Sequence, residues 1–523
     1  MARAAESPLG HQWRAFLAGG TLSLTRLLTG FVRVKYVALV LGTAGVGFLS
    51  QATQLQLLGI SLGSLSIAVG IINRMGAIGA NQRERESRLL STAFTMQFTV
   101  SLVMLGAALI WSRALTDAVF GSEALAASPM SPRDVLVVIC SVPLAVLASG
   151  YLEAVFFGAG RYDLYVRASI WATVLGFFAT VTIIAVWRLP GAFWSIFASS
   201  ALLVTPFLIY VRRVRPFSHL FRFGFDRSEA NALFRFSVVV LISGALVPFA
   251  RLWVQRAVIG NFGVDANGIL QVPFAVTAYY TPFLTNALWG RMHPTVTRVG
   301  ATREGRRELT AAVRLTVTMA AAAIVTILFL KDLLVPLAYS RAFAPAAHLL
   351  PAQLLGDYFY FVALPFTIYA LGLSRLRVYL AANLGYSIVA AATSFLLLRS
   401  IGLVGVPIGY GLSAACGALV AMAWLIWHRD EDMPLTVGFI AGGFAVVAVQ
   451  SALAWRGSHP VLQGIICVTV DAAALLWLWK ARGSGDEHEP SAGGNSSEGA
   501  PVAERAPHEA LVPPGHEGLR RPG

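Results

Sequence analysis

The chain has 523 residues, 56% of them hydrophobic and only 13% charged, with a mean hydropathy of +0.68. Soluble domains carry about 25% charged residues, so the several globules that this length suggests lack the charge to cover their surfaces, and a polytopic membrane protein remains. The net charge of +14 follows from arginines in the loops between spans, as the positive-inside rule requires, and implies no nucleic-acid partner.

Apolar stretches of about 20 residues, each enough to cross roughly 30 Å of hydrocarbon, recur near 16–41, 46–72, 89–111, 135–157, 168–187, 191–211, 234–258, 268–290, 311–337, 351–373, 378–398, 403–427, 434–455 and 459–479. They predict an all-α polytopic membrane protein of 14 transmembrane helices. A transmembrane barrel would instead show alternating segments of about ten residues. With the N-terminus inside, inner loops hold 19 arginines and outer loops 6, which makes both termini cytoplasmic. The start of the chain reads as an uncleaved first span. The longest outer segment, 113–134, is too short for a catalytic domain. From Ala481 onward the chain is rich in Gly, Pro, Ser and Glu, which predicts a disordered tail; its sequon Asn495-Ser496-Ser497 is a chance match there. Cys140, Cys416 and Cys467 all lie in apolar runs and suggest neither disulfides nor a metal site.

Two stretches repeat. FVRVKYVALVLGTAG from Phe31 and FARLWVQRAVIGNFG from Phe249 align Arg33 with Arg251, Gly42 with Gly260 and Gly45 with Gly263; after a small shift Gly47 faces Gly268, and further on Arg74 matches Arg291. The offset spans six helices, an even number, so the repeat is parallel about the membrane normal. The domains expected are a six-helix lobe over 1–213, a second over 214–428, two additional helices over 429–480 and a tail over 481–523.

Arginine at mid-membrane costs about 2.5–3.5 kcal/mol. Arg26 and Arg33 share one face of helix 1, roughly 12 and 22 Å along it at 1.5 Å per residue. Lys35 can snorkel outward. Arg251 repeats Arg33 in helix 7, with Arg256 nearer the outer end, and Arg74 and Arg291 stand at inner helix ends as candidate gate contacts. Embedded acids are few: Glu153, Asp357 and Asp471. Glu153 and Asp357 are candidates for charge pairing or proton coupling. Prolines 143, 206, 248, 273, 282, 365 and 407 are candidate kinks. Tyr279, Tyr280 and Trp289 could stack on sugars or simply pack. No Walker loop, zinc motif, potassium filter or voltage sensor occurs.

Leu41-Gly42-Thr43-Ala44-Gly45-Val46-Gly47, which closes a basic first helix and precedes Gln51, resembles the start of polysaccharide (Wzx-type O-antigen) flippases of the multidrug/oligosaccharidyl-lipid/polysaccharide exporter superfamily. The resemblance implies two lobes in alternating access, a lipid-linked glycan as cargo, an undecaprenyl-diphosphate carrier and a cationic central cavity. The substrate-binding positions it implies here are Arg26, Arg33, Arg251 and Arg256, in a monomeric bacterial plasma-membrane protein that needs no cofactor and works beside other polysaccharide-assembly proteins. Fourteen spans also fit lipid II flippases, although the phenylalanine/glycine/alanine-rich motif usual after their helix 1 is absent. A cation-coupled multidrug exporter would favour an acidic or apolar cavity, and a membrane glycosyltransferase or polymerase would need acidic catalytic residues; neither fits these mainly basic embedded charges.

Overall fold

The computed structural model describes residues 8–77, 82–122, 131–288, 292–428 and 433–486. Among them the secondary structure is helical throughout: α1 Pro8–Gly63, α2 Ala68–Ala77, α3 Arg83–Ile110, α4 Ser112–Phe120, α5 Pro132–Gly158, α6 Tyr162–Val211, α7 Phe217–Leu220, α8 Arg227–Ala287, α9 His293–Val299, α10 Arg303–Ala338, α11 Leu350–Gly372, α12 Leu376–Ile401, α13 Gly405–His428, α14 Met433–Arg456 and α15 Pro460–Asp486. The packing described below is that of residues up to Ala474. The segment expected as a disordered tail begins as helix, since α15 reaches Asp486; the sequon lies outside the described residues.

Local chemistry sets the helix ends. Asp226 caps α8, its Oδ1 accepting from the backbone of Ser228 at 2.8 Å and Glu229 at 3.1 Å. Ser131 and Asp134 form a capping box ahead of α5, with Pro132 at the first helical turn. The outer segment expected as loop carries α4, which buries Thr116, Val119 and Phe120 at i, i+3 and i+4.

Among the described residues ten helical stretches are long and apolar enough to cross a membrane, and four of them run 43 to 50 residues, about twice what one crossing needs. Each of the four is broken at one residue with positive φ: Gly42 (67°), Arg188 (52°), Gly263 (83°) and Gly402 (73°). At Arg188 and Gly402 the chain doubles back. The Ser199 and Thr180 hydroxyls lie 3.3 Å apart, and Thr393 Oγ1 donates to the Gly409 carbonyl at 2.9 Å. The sharp breaks in these four stretches therefore fall on these positions. Glycine takes such a φ freely; a side chain there stores about 1–3 kcal/mol.

Gly42 and Gly263 stand 221 residues apart, as do Gly47 and Gly268. One register thus serves the whole turn, and it places Gly263 opposite Gly42 rather than opposite Gly45. In this register Lys35 corresponds to Arg256, and Arg33 to Val254.

One apolar core joins α2, α3, α5 and α6 through Ile71, Leu90, Tyr151, Phe156 and Phe207. Another joins α10 and α11 through Val317, Ile324, Leu354 and Phe361 and reaches Val447 of α14. α14 is also held by Tyr358 Oη, which donates to the Ile440 carbonyl at 2.7 Å. Large apolar side chains such as Val103, Ile110, Phe178 and Leu396 remain exposed, a surface suited to lipid.

Candidate functional site: the seam between α1 and α8

α1 and α8 cross where two glycines meet. A β-carbon on Gly47 would strike the Val264 carbonyl, and one on Gly268 would strike the Thr43 carbonyl. Backbone approach this close leaves room for glycine alone. Polar side chains bind the crossing: Thr43 donates to Asp265, Ser50 Oγ to Gln271 Oε1 at 2.6 Å, Gln255 Nε2 to Ser50 Oγ at 3.0 Å and Asn267 Nδ2 to the Gly47 carbonyl at 2.9 Å. Gln51 Nε2, buried, donates to the carbonyls of Val119 at 2.8 Å and Leu252 at 3.3 Å.

The remote end of the same seam closes differently. Past Gly42, α1 runs on to Gly63, the chain turns at Leu65 and Ser66 (φ 49° and 50°), and α2 carries Arg74 in its last turn. There Arg74 Nη2 lies 3.0 Å from Glu229 Oε2, an ion pair without hydrogen-bond alignment, and Arg85 Nε lies 3.7 Å from Glu229 Oε1. The Asp226 amide also donates to Thr92 Oγ1 at 3.0 Å. Arg74 is thus tied across the seam. Its repeat counterpart Arg291 lies outside the described residues.

The embedded cations occupy distinct settings. Arg26 faces α5 and α6: its Nη2 is 3.5 Å from Tyr165 Oη, and the Glu153 carboxylate is close enough to attract it. Glu153 directly follows the π-helical turns Val146–Leu152, which themselves follow Pro143; a proline removes one helical donor and such wide turns relieve the ladder. Arg33 keeps accessible surface and stands close enough to Tyr279 of α8 to interact with it. Arg251 lies within the second half, its guanidinium 5.1 Å from the Phe274 ring centroid, in a small cavity shared with Gln255, Tyr386 and Tyr410. Arg256 packs against Gly121 beyond α4, and Lys35 Nζ donates to the Pro336 carbonyl, near the C-terminal end of α10, at 2.9 Å. Among the described residues no hydrogen bond or ion pair joins Arg26, Arg33 and Arg251 to one another.

Asp357 is fully buried on α11 without an ion pair among the described residues. It is solvated by neutral donors: Thr277 Oγ1 and Tyr280 Oη at 2.6 Å each and Gln353 Nε2 at 3.0 Å, with the Tyr410 hydroxyl beside it. An uncompensated buried charge is expensive, so these donors are what make the carboxylate tolerable. Asp471, by contrast, accepts from Thr326 Oγ1 at 2.8 Å and ties α15 to α10.

Several of these partners escape a search for embedded charge. Thr277, Tyr280, Gln353 and Tyr410 are neutral, although Gln353 and Asp357, spaced i, i+4 in an apolar span, share a helix face and signal a polar cluster. Glu229 escapes because loop counting weighs only Lys and Arg. Of the three aromatics considered for sugars, Tyr280 serves Asp357, Tyr279 neighbours Arg33 and Trp289 lies outside the described residues.

Known proteins match this architecture. The chain is 22% identical over 425 residues to the lipid III flippases of Escherichia coli (strain K12) and Shigella flexneri, covering 80% of this chain and 99% of each relative. Its fold is similar to that of the lipid II flippase MurJ in an inward closed conformation, with a TM-score of 0.66 at 10% identity over 89% of this chain and 99% of that one. It is also similar to a multidrug resistance MATE family transporter of the MOP superfamily in an inward-facing conformation, at TM-score 0.59 and 14% identity over 77% and 93% of the two chains. The sequence pattern that defines the polysaccharide biosynthesis protein family matches residues 55–348, more than half of the length, and the chain therefore belongs to that family.

Proposed function

We propose that this membrane protein is a flippase, not an enzyme, and that it moves a diphosphate-linked lipid oligosaccharide from the inner to the outer leaflet by alternating access. The observation that carries the reading is Arg33: an arginine within an apolar span that keeps accessible surface beside Tyr279 across the α1–α8 seam, a seam also bound by Ser50–Gln271 and, from α2, by Arg74–Glu229. A bare diphosphate in hydrocarbon is prohibitively costly, and arginine forks match phosphate oxygens. Full-length similarity to lipid III flippases supports this class of cargo. Lipid II is the second reading, favoured by the match to MurJ over 89% of the chain, which exceeds the MATE match.

The glycine crossing serves as the outer closure and Arg74–Glu229 as the inner one. Four breaks in ten spanning stretches support 14 crossings in two six-helix lobes plus two helices, and the arginine bias supports cytoplasmic termini. Arg26 serves the diphosphate in competition with Glu153. A proton or cation taken up at Glu153 frees Arg26 for phosphate, and Asp357 offers a second coupling site. Moving negative charge outward from a negative interior gains about 2.3 kcal/mol per charge per 100 mV.

The test is complementation of a strain that lacks the gene. The deletion accumulates lipid-linked oligosaccharide on its inner leaflet and the wild-type gene restores surface polysaccharide, whereas Arg26→Ala and Arg251→Ala do not, at unchanged abundance in the membrane. Normal polysaccharide in both variants refutes a role for these arginines in holding the diphosphate. Drug hypersensitivity with normal polysaccharide in the deletion strain points to an exporter instead.

A further inference from the structure

A cavity of about 910 Å³ lies in the second half, walled by α11, α12 and α13 and touching neither Arg26 nor Arg33. That is the upper range of natural ligand sites and holds about 30 water-sized groups. Its body is apolar, formed by small residues and rings such as Ala363, Gly417, Phe366 and Trp424. Polar groups are unevenly placed. Arg375 and Arg377, in and just after the α11–α12 turn, line one end; both are exposed, and among the described residues neither guanidinium makes an ion pair or hydrogen bond. At another wall stands Tyr386, whose ring also lines the small cavity of Arg251.

An apolar chamber with two uncompensated guanidiniums at its rim fits an amphiphile with a compact, doubly charged head and one bulky apolar chain. We infer that this cavity binds the first isoprene units of a polyprenyl diphosphate, the rest of the chain running out into the lipid, with the diphosphate held by Arg375 and Arg377. The inference rests on the flippase reading for the carrier's chemistry and adds a docking site apart from the α1–α8 seam. Tyr386 is the partition between this site and Arg251, so a bound carrier waits next to a second cation. Two acyl chains and a singly charged glycerophosphate head answer the paired arginines less well.

Cys416 lines the cavity and is exposed, which makes it a reporter. The full-length protein carrying Cys140→Ala and Cys467→Ala is purified and labelled with N-ethylmaleimide, with and without undecaprenyl diphosphate. With the probe at about ten times its Kd, the labelling rate falls roughly tenfold with the free fraction. Arg375→Ala with Arg377→Ala raises the concentration for half protection about tenfold or more, the weight of charge-assisted bonds. Gly385 lines the same cavity, and a β-carbon there meets nothing within 4 Å; Gly385→Leu therefore projects into the chamber and weakens the protection, while Gly385→Ala keeps it. Unprotected Cys416, or equal protection by phosphatidylglycerol, overturns the site. The flippase reading is judged separately, by whether the wild-type gene restores polysaccharide.

Discussion

Glu229→Gln tests the inner closure most directly. The Glu229 side chain is 10% exposed and meets Arg74, at 29%, and Arg85, at 51%. Exposed pairs contribute about 0.2–1 kcal/mol and removal of one partner of a buried pair costs about 3–5; this half-buried cluster falls between, at roughly 1–2 kcal/mol. Only the closed state holds the cluster together, so the substitution shifts the closed–open balance by that amount, about tenfold in population at 1.4 kcal/mol. Ser237 lies behind the pair on α8, 1% exposed and facing Gly70 of α2. In a cysteine-free background Ser237→Cys reports opening through its rate of maleimide labelling, which rises about tenfold when Glu229→Gln is added. Glu86→Gln breaks the Arg215 pair, whose 2.8 and 3.1 Å bonds tie α3 to the segment that follows α6 and do not involve Glu229, and leaves the rate unchanged. An unchanged rate in Glu229→Gln, with the melting temperature preserved, would refute the closure.

Three further outcomes follow from the geometry. Arg188→Gly relieves a φ of 52° and raises thermal stability by about 1–3 kcal/mol, read from unfolding in detergent; no gain removes the strain argument. Gly268→Ala drives a methyl group into the Thr43 carbonyl and costs about 1–3 kcal/mol by overpacking, with polysaccharide export falling in step; normal stability and export would mean that the crossing is loose. His293, outside the spans, has its pKa held below 6.5 by burial. Folding disfavours its proton, so its contribution is complete above pH 6.5 and is lost as pH falls below that value. His293→Gln flattens the stability–pH curve on this acid side, and an unchanged slope excludes the histidine as its source.

Much of the candidate site was legible because charge in an apolar span is rare and therefore informative. Arg26, Arg33, Arg251, Glu153 and Asp357 stand out by composition alone. What composition cannot supply is the partner: that Arg26 shares its place with Glu153 and Tyr165, that Asp357 is solvated by hydroxyls, or that Arg74 waits for Glu229. The repeat was also readable, but its register was not. Glycines are common in membrane helices, so two alignments three residues apart look alike until the positive φ at Gly42 and Gly263 separates them.

The sequence by itself determined that this chain is a helical bundle in a membrane, because some 20 apolar residues per crossing and scarce charge admit no other solvent. It also determined which side chains pay for burial and therefore need a reason to be there. The tertiary structure decided where α1 and α8 touch, which cation meets which acid, and that a chamber opens between α11, α12 and α13. Those choices arise from contacts between residues up to some 300 positions apart, which depend on how helices pack and leave no periodic trace along any one of them.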